Sequence, residues 1–135
     1  MSTKLLVPTD FTEVAHTAIQ HAVKLGEIVD AEIILLNVVK DKEDIADANI
    51  KLQKEEGYAK GISQNANIKC IVRVGNIFDD IGDAASEVGA NLIFMGTHGA
   101  SGWQKVTGSY ALKVITNSSV PFIVVQDELM KDSGY

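Results

Sequence analysis

Two stretches of the chain carry residues that could do chemistry. The first is Met95–Ile115, "MGTHGASGWQKVTGSYALKVI". Gly96 and Gly99 can take positive φ, and they leave the backbone bare enough for a ligand to approach closely. Gly108 and Ser109 fall where a helix is expected to begin. A helix N-terminus offers unpaired N–H donors at the positive end of its dipole. Ser109 adds a hydroxyl, and His98 and Lys105 add local positive character. Together these describe a phosphate cradle. They equally describe a glycine-rich connector with Ser109 as an ordinary N-cap, and the residue types alone leave both readings open. The second stretch is "PTDFTE", Pro8–Glu13. The carboxylate of Asp10 could accept hydrogen bonds from a ribose or an adenine amino group. It could also cap the first helix or fix the turn, and Thr12 competes for that cap.

Neither the Walker spacing G-x-x-x-x-G-K-[ST] nor the dinucleotide spacing G-x-G-x-x-G occurs; the loop after residue 95 reads G-x-x-G-x-x-G. His16 and His21 sit within the expected first helix and read as surface or partly buried residues. Cys70 is the lone cysteine, set in the apolar run "IKCIVRV", and reads as a plain buried thiol. No grouping of His, Cys, Asp and Glu has the spacing of a metal site. Trp103 reads as a loop anchor or part of a partner surface.

The elements that must position these residues can be read from periodicity. Five short apolar runs read as strands: Lys4–Pro8, Ala31–Val39, Ile68–Val74, Asn91–Met95 and Pro121–Val125. Between them lie helical patterns. The first starts after Thr12, which reads as its N-cap, and is expected to stop at Gly26. The second runs from Ile45 to about Ser63 as an exposed amphipathic helix, interrupted near Gly57 and Gly61. The third carries Ile77, Ile81, Ala84, Ala85 and Val88 and ends at Gly89. The fourth carries Tyr110, Ala111, Val114 and Ile115. The tail after Val125 is polar and is expected to fray. Strands that are apolar throughout, alternating with helices, predict a parallel sheet covered on both faces, a three-layer α/β/α sandwich. In such a sheet ligands bind beyond the carboxyl ends of the strands at a switch point. If the order is 3-2-1-4-5, the Asp10 turn and the glycine loop face each other across one crevice.

Composition sets the outer bounds. The chain has 135 residues, of which 46% are hydrophobic, which suits one domain with a real core. The net charge is −6 with no dense Lys/Arg patch, which argues against nucleic acid as a partner. No apolar run approaches ~20 residues, and the N-terminal one is far too short for a signal peptide. The expectation is a cytoplasmic protein with no membrane association, in which the sequon at Asn117 has no consequence.

Three segments together resemble the universal stress protein family: "LLVPTDFTE", "IFMGTHGASG" and "GSYALKVITNSSVPFIVV". The resemblance covers nearly the whole chain. It implies the adenine nucleotide alpha hydrolase-like fold, a five-stranded parallel sheet of order 3-2-1-4-5. ATP-binding members of the family carry glycine, two residues, glycine, nine residues, then glycine with Ser or Thr. Carried over by position, Pro8, Thr9 and Asp10 match the contacts after the first strand, and Val38 matches a valine lining the adenine pocket. Met95, Gly96, His98 and Gly99 match the first half of the phosphate motif. Gly108 and Ser109 match its end, with Tyr110 next along the backbone.

The chain departs from the motif in one respect: residues 100–107 place eight residues, not nine, between Gly99 and Gly108. If that segment is helical, one missing residue rotates the downstream residues by about 100°. Thr107 also stands where an apolar residue is usual, and Asn37 where the family often has His. The resemblance implies an adenine-nucleotide-binding stress-response or signalling module, taking ATP or AMP, with any Mg2+ carried by the nucleotide. No catalytic residue is expected, since H-x-G-H is absent and Ser109 lacks an activating base; slow hydrolysis by bound water stays open. The alternative is a dimeric interaction module of the same family that binds no nucleotide. Either way, the apolar edge strand Pro121–Val125 is expected to pair with its copy in a homodimer.

Overall fold

The computed structural model describes residues 3–96 and 114–125. Strand β1 (Thr3–Pro8) is followed by helix α1 (Glu13–Val29), β2 (Ala31–Val39), a 3-10 turn (Lys42–Asp44) and α2 (Ile45–Ile62). Then come β3 (Asn67–Val74), α3 (Ile77–Val88), β4 (Leu92–Gly96) and β5 (Phe122–Val125). All pairings are parallel, as the pattern of elements predicted, and the order is β3-β2-β1-β4-β5, as the family resemblance implied. Of the fourth helix, residues 114–116 are described and are helical. The expected fraying of the tail lies outside the described residues.

The pleat divides the core in two. Leu5, Val7, Ile33 and Leu35 pack against Ala18, Ile19, Ala22 and Val23 of α1 and Leu52 and Ala59 of α2. Leu6, Ile34, Leu36, Ile93 and Met95 face the other way, onto Ile81, Ala84 and Ala85 of α3 and Val114. Helices on both faces explain why the inner strands carry no polar alternation. The α2 stripe of Ala48, Leu52, Glu55 and Ala59 is buried, so this helix hides a face that its polar sequence disguises.

Two helix boundaries differ from expectation. Helix α1 does not stop at Gly26 but runs on to Val29, where Asp30 takes the left-handed cap at φ 56°. Gly26 is a spacer: a Cβ there would lie 2.9 Å from Cδ1 of Ile33, so the glycine lets α1 close on β2. Helix α2 is continuous through Gly57 and Gly61, and a Cβ at either would meet nothing within 4 Å. The third helix does end at Gly89, at φ 73°, with the Ala90 N–H bonded to the carbonyl of Ala85.

Cys70 is half-buried against α2, with Sγ 3.7 Å from the Leu52 carbonyl and 3.6 Å from Oε1 of Glu56. Burial first, and Glu56 second, push its thiol up to about 11. It is an unreactive packing thiol, close to expectation.

The glycines supply a paired stability test. Gly57→Ala adds helix propensity in open space and is expected to stabilise by about 0.5–1 kcal/mol. In Gly82→Ala the Cβ would sit 2.9 Å from the Asn117 carbonyl and 3.2 Å from Cα of Ser118. That crowding costs about 1–3 kcal/mol, more than the helix gains, so the variant is expected to be less stable. Urea midpoints of the two variants should move in opposite directions; a rise in both would overturn the close seat of α3 on residues 117–118.

Candidate functional site

The sheet opens where the switch-point rule looks for a ligand. Strand β1 pairs with β2 up to Pro8↔Leu36. With β4 it pairs only at Leu5↔Leu92 and Leu6↔Ile93, while β4 stays paired with β5 up to Gly96↔Val125. Beyond Leu6 the β1–β4 pairing does not continue, and the carboxyl ends of the two strands part there while Val7 and Met95 stay buried. Pro8 stands beside this end of the seam. The Thr9 N–H points to the Leu36 carbonyl of β2 at 2.8 Å, so strand alternation turns the Pro8 nitrogen towards the seam. Proline has no amide hydrogen to orphan there.

The turn after β1 is tied at every point. Thr9 is 1% exposed, and its carbonyl accepts from Nδ2 of Asn37 at 2.8 Å. Its hydroxyl donates to Oε1 of Glu55 at 3.3 Å and accepts from the Phe11 N–H at 3.0 Å. Phe11 takes φ 69°, a left-handed conformation costly for a bulky residue and kept only where the surroundings over-determine it. Asp10 accepts from the Thr12 hydroxyl at 2.6 Å. Thr12 occupies the N-cap position of α1 with extended backbone, but its side chain makes no capping bond. Its hydroxyl is engaged by Asp10, and this corrects the reading of Thr12 as a side-chain cap.

The structure brings together part of the site read from the sequence. Pro8, Thr9 and Asp10 form the β1 wall, and Met95 and Gly96 end β4 across the open seam. Gly96 does not use the positive φ open to it. A Cβ there would sit 2.8 Å from Cγ2 and 2.9 Å from the carbonyl oxygen of Val14, so the glycine brings the first turn of α1 over the end of β4. Val38 lies two residues beyond Leu36 and packs against the α3-side core. His98, Gly99, Gly108, Ser109 and Tyr110 lie outside the described residues, as do Lys105 and Trp103.

Glu55 and Phe11 escaped sequence reasoning, and Asn37 was noted only as standing where the family often has His. Asn37 had a signal, a lone amide inside the apolar run "LLNVV". Glu55 had one only in retrospect, at the helical spacing of Ala48, Leu52 and Ala59. Its carboxylate is 4% exposed and lies 2.7 Å from Nε2 of His16. His16 is half-exposed, as expected, and stacks on Tyr58 at 4.5 Å between ring centres. Burial raises the Glu55 carboxyl above its usual range and Asp10 adds to this, while His16 and the Thr9 bond oppose it.

Two cavities flank the turn on the α1–α2 side. One, of about 210 Å³, is lined by Phe11, His16, Lys51, Lys54, Glu55 and Tyr58. The other, of about 230 Å³, shares Phe11 and Lys51 and reaches Asn37 and Val39. Another, of about 310 Å³, lies at the opposite end of the strands, around Asp30 and Asn67. Among the described residues no cluster of His, Cys, Asp and Glu could hold a metal ion, and no helix is long and apolar enough to cross a membrane.

A parallel 3-2-1-4-5 sheet with helices on both faces and a structured turn after its first strand defines an α/β protein of the doubly wound class. The universal stress protein family model matches residues 1–126, and the chain belongs to that family. Universal stress protein MJ0577 of Methanocaldococcus jannaschii is 27% identical over 93% of this chain and 96% of its own length. A solved structure of MJ0577 superimposes with a TM-score of 0.70. A universal stress protein in complex with cAMP is 22% identical, with a TM-score of 0.74 over 91% of this chain and 95% of that one. One from Archaeoglobus fulgidus in complex with dAMP is 20% identical, with a TM-score of 0.74 over 93% of this chain and 98% of that one. These last two share the fold.

The raised Glu55 carboxyl sets a pH dependence. A proton is held in the folded state to a higher pH than the ordinary 4.5. The stability this represents is present below 4.5 and is lost as pH rises through the raised folded value. Glu55→Gln cannot titrate. The unfolding free energy of the parent relative to this variant is therefore expected to fall as pH rises from about 4.5 towards neutrality. Urea titrations across that range check it; a difference that rises with pH would contradict the desolvated carboxyl.

Proposed function

We propose that this protein is an adenine-nucleotide-binding module, taking ATP or AMP in the crevice between β1 and β4, and that it acts by binding rather than by catalysis. The observation that carries the reading is the unzipped β1–β4 seam, with Pro8 and Asp10 on one lip and Met95 and Gly96 on the other. An adenine nucleotide suits it on three grounds. Asp10 is an acceptor for ribose hydroxyls or the adenine amino group. The sequence motif of Gly99, Gly108 and Ser109 supplies backbone donors for phosphates, with His98 and Tyr110 beside them. Relatives of the same fold are known in complex with cAMP and dAMP. Any Mg2+ would arrive with the nucleotide.

The module is proposed to be a homodimer. Strand β5 ends the sheet order, and Ile123 and Val124 are 37% and 44% exposed. An apolar edge of this kind invites pairing with its copy.

Calorimetry with ATP and AMP tests the binding. Asp10→Ala is expected to weaken it by about 1.5–3 kcal/mol per hydrogen bond lost. Gly99→Val is expected to abolish it with circular dichroism unchanged. Equal affinity in variants and parent would count against the crevice. No binding by the parent at millimolar nucleotide would favour the second reading, a nucleotide-free interaction module, for which the shortened Gly99–Gly108 spacing speaks. For assembly, Val124→Lys is expected to shift the mass seen by light scattering from dimer to monomer. A parent that is monomeric at tens of micromolar would refute the edge pairing.

A further inference from the structure

We propose that Glu55 is a positioning residue: from helix α2 it locks the Thr9 hydroxyl, and through it the stance of Asp10 at the crevice. The inference deepens the nucleotide reading and rests on it for its functional meaning. Glu55 comes from an element that contributes nothing else to the crevice. Its Oε1 accepts a hydrogen bond from the Thr9 hydroxyl at 3.3 Å, which leaves the hydroxyl lone pairs for the Phe11 N–H, 3.0 Å away. That bond holds Phe11 at φ 69°, and Asp10 is the single residue between the two anchored ones. Oε2 lies 2.7 Å from Nε2 of His16, one turn into α1, though the pair lacks hydrogen-bond geometry, so the same carboxylate sits between the turn and the helix after it. Asp10 itself points its Oδ1 at Thr12, at the start of that helix. A carboxylate bonded to Thr9 and set against His16 therefore braces the segment that carries Asp10 from both sides.

Energetics argue against a purely stabilising role. A buried ion pair seldom improves on well-packed apolar residues, because desolvation consumes the Coulombic gain. Leucine at position 55 would continue the buried stripe of Ala48, Leu52 and Ala59. What leucine cannot supply is an acceptor for Thr9. Glu55 and the Asp10 carboxylate thus bear on the ligand in different ways: Asp10 touches it, and Glu55 decides where Asp10 stands. The groups around Glu55 are His16 on α1, Asp10 on the turn, and Lys51, Lys54 and Tyr58 on α2. None of the α2 groups reaches the Thr9 hydroxyl in its place.

The test compares Glu55→Leu with Glu55→Gln, which keeps the acceptor without the charge. Amide hydrogen exchange at Phe11 reads the turn directly and needs no nucleotide. In Glu55→Leu that exchange is expected to speed up about tenfold, the order expected for one lost hydrogen bond. Global stability should not fall. In Glu55→Gln the exchange should stay close to that of the parent. Calorimetry with AMP and ATP should keep the same order, with affinity about tenfold weaker in Glu55→Leu and rescued in Glu55→Gln. Unchanged Phe11 exchange in Glu55→Leu, or exchange in Glu55→Gln as fast as in Glu55→Leu, would overturn the proposal. If Glu55→Leu does not fold, Glu55→Met replaces it; failure of both would also overturn it, since Glu55 would then hold the fold and not the turn. A parent that binds no nucleotide would remove the functional reading, while Phe11 exchange would still decide whether Glu55 sets the turn.

Discussion

The structure depends on the burial of β1 on both faces. Leu5, Leu6 and Val7 have no exposure at all, so this strand needs helices above and below and a paired neighbour on each side. Backbone groups in such surroundings must be bonded, and β2 satisfies one edge along the full length of the strand. On the other edge β4 comes from later in the chain and pairs only as far as Leu6. Where that pairing ends, Val7 and Met95 are still buried, so the backbone edges part beneath the surface. The gap in the ladder is thus a consequence of how the most buried strand runs out of partners.

Everything around that opening serves to hold the chain still. Thr9 is bonded through its amide, its carbonyl and its hydroxyl, to β2, Asn37, Glu55 and Phe11. Phe11 keeps a backbone conformation that its side chain disfavours. The start of α1 is drawn over the end of β4 by a glycine that leaves no room for a Cβ beside Val14. A rigid lip suits a site that recognises its ligand by position, because little ordering remains to be done on binding. The far loop, between β3 and α3, is held by different means. Asp80 accepts from the Asn76 N–H and pairs with Arg73, which also reaches Glu87. The space that a Cβ on Gly75 would need is filled by the Asp80 carboxylate.

Much of the fold was legible because it rests on local signals. Apolar runs without alternation mean strands covered on both sides, and all five appear within a residue of the positions read. Gly89 ends a helix because its φ is positive; Gly26, Gly57 and Gly61 were misread because a glycine in a helix also serves spacing or simply fits. Its type alone does not say which. Of the candidate site, Pro8, Thr9, Asp10, Met95 and Gly96 were named from stretches that match the universal stress protein family, and the structure places them at the carboxyl ends of β1 and β4.

What the sequence by itself determined is the alternation of elements, the family, and the residue types that flank the crevice. Those come from period, composition and motif, which are properties of neighbours along the chain. Only the tertiary structure decided that the β1–β4 seam opens after Leu6, that the Thr12 hydroxyl serves Asp10 instead of capping a helix, and that Glu55 is interior. A carboxylate in "QKEEG" looks solvated until a helix lays it, 46 residues from Thr9 in sequence, against a buried hydroxyl that needs an acceptor. Contacts at that separation have no local signature. They are set by how two helices and a strand pack, and packing is a property of the whole chain.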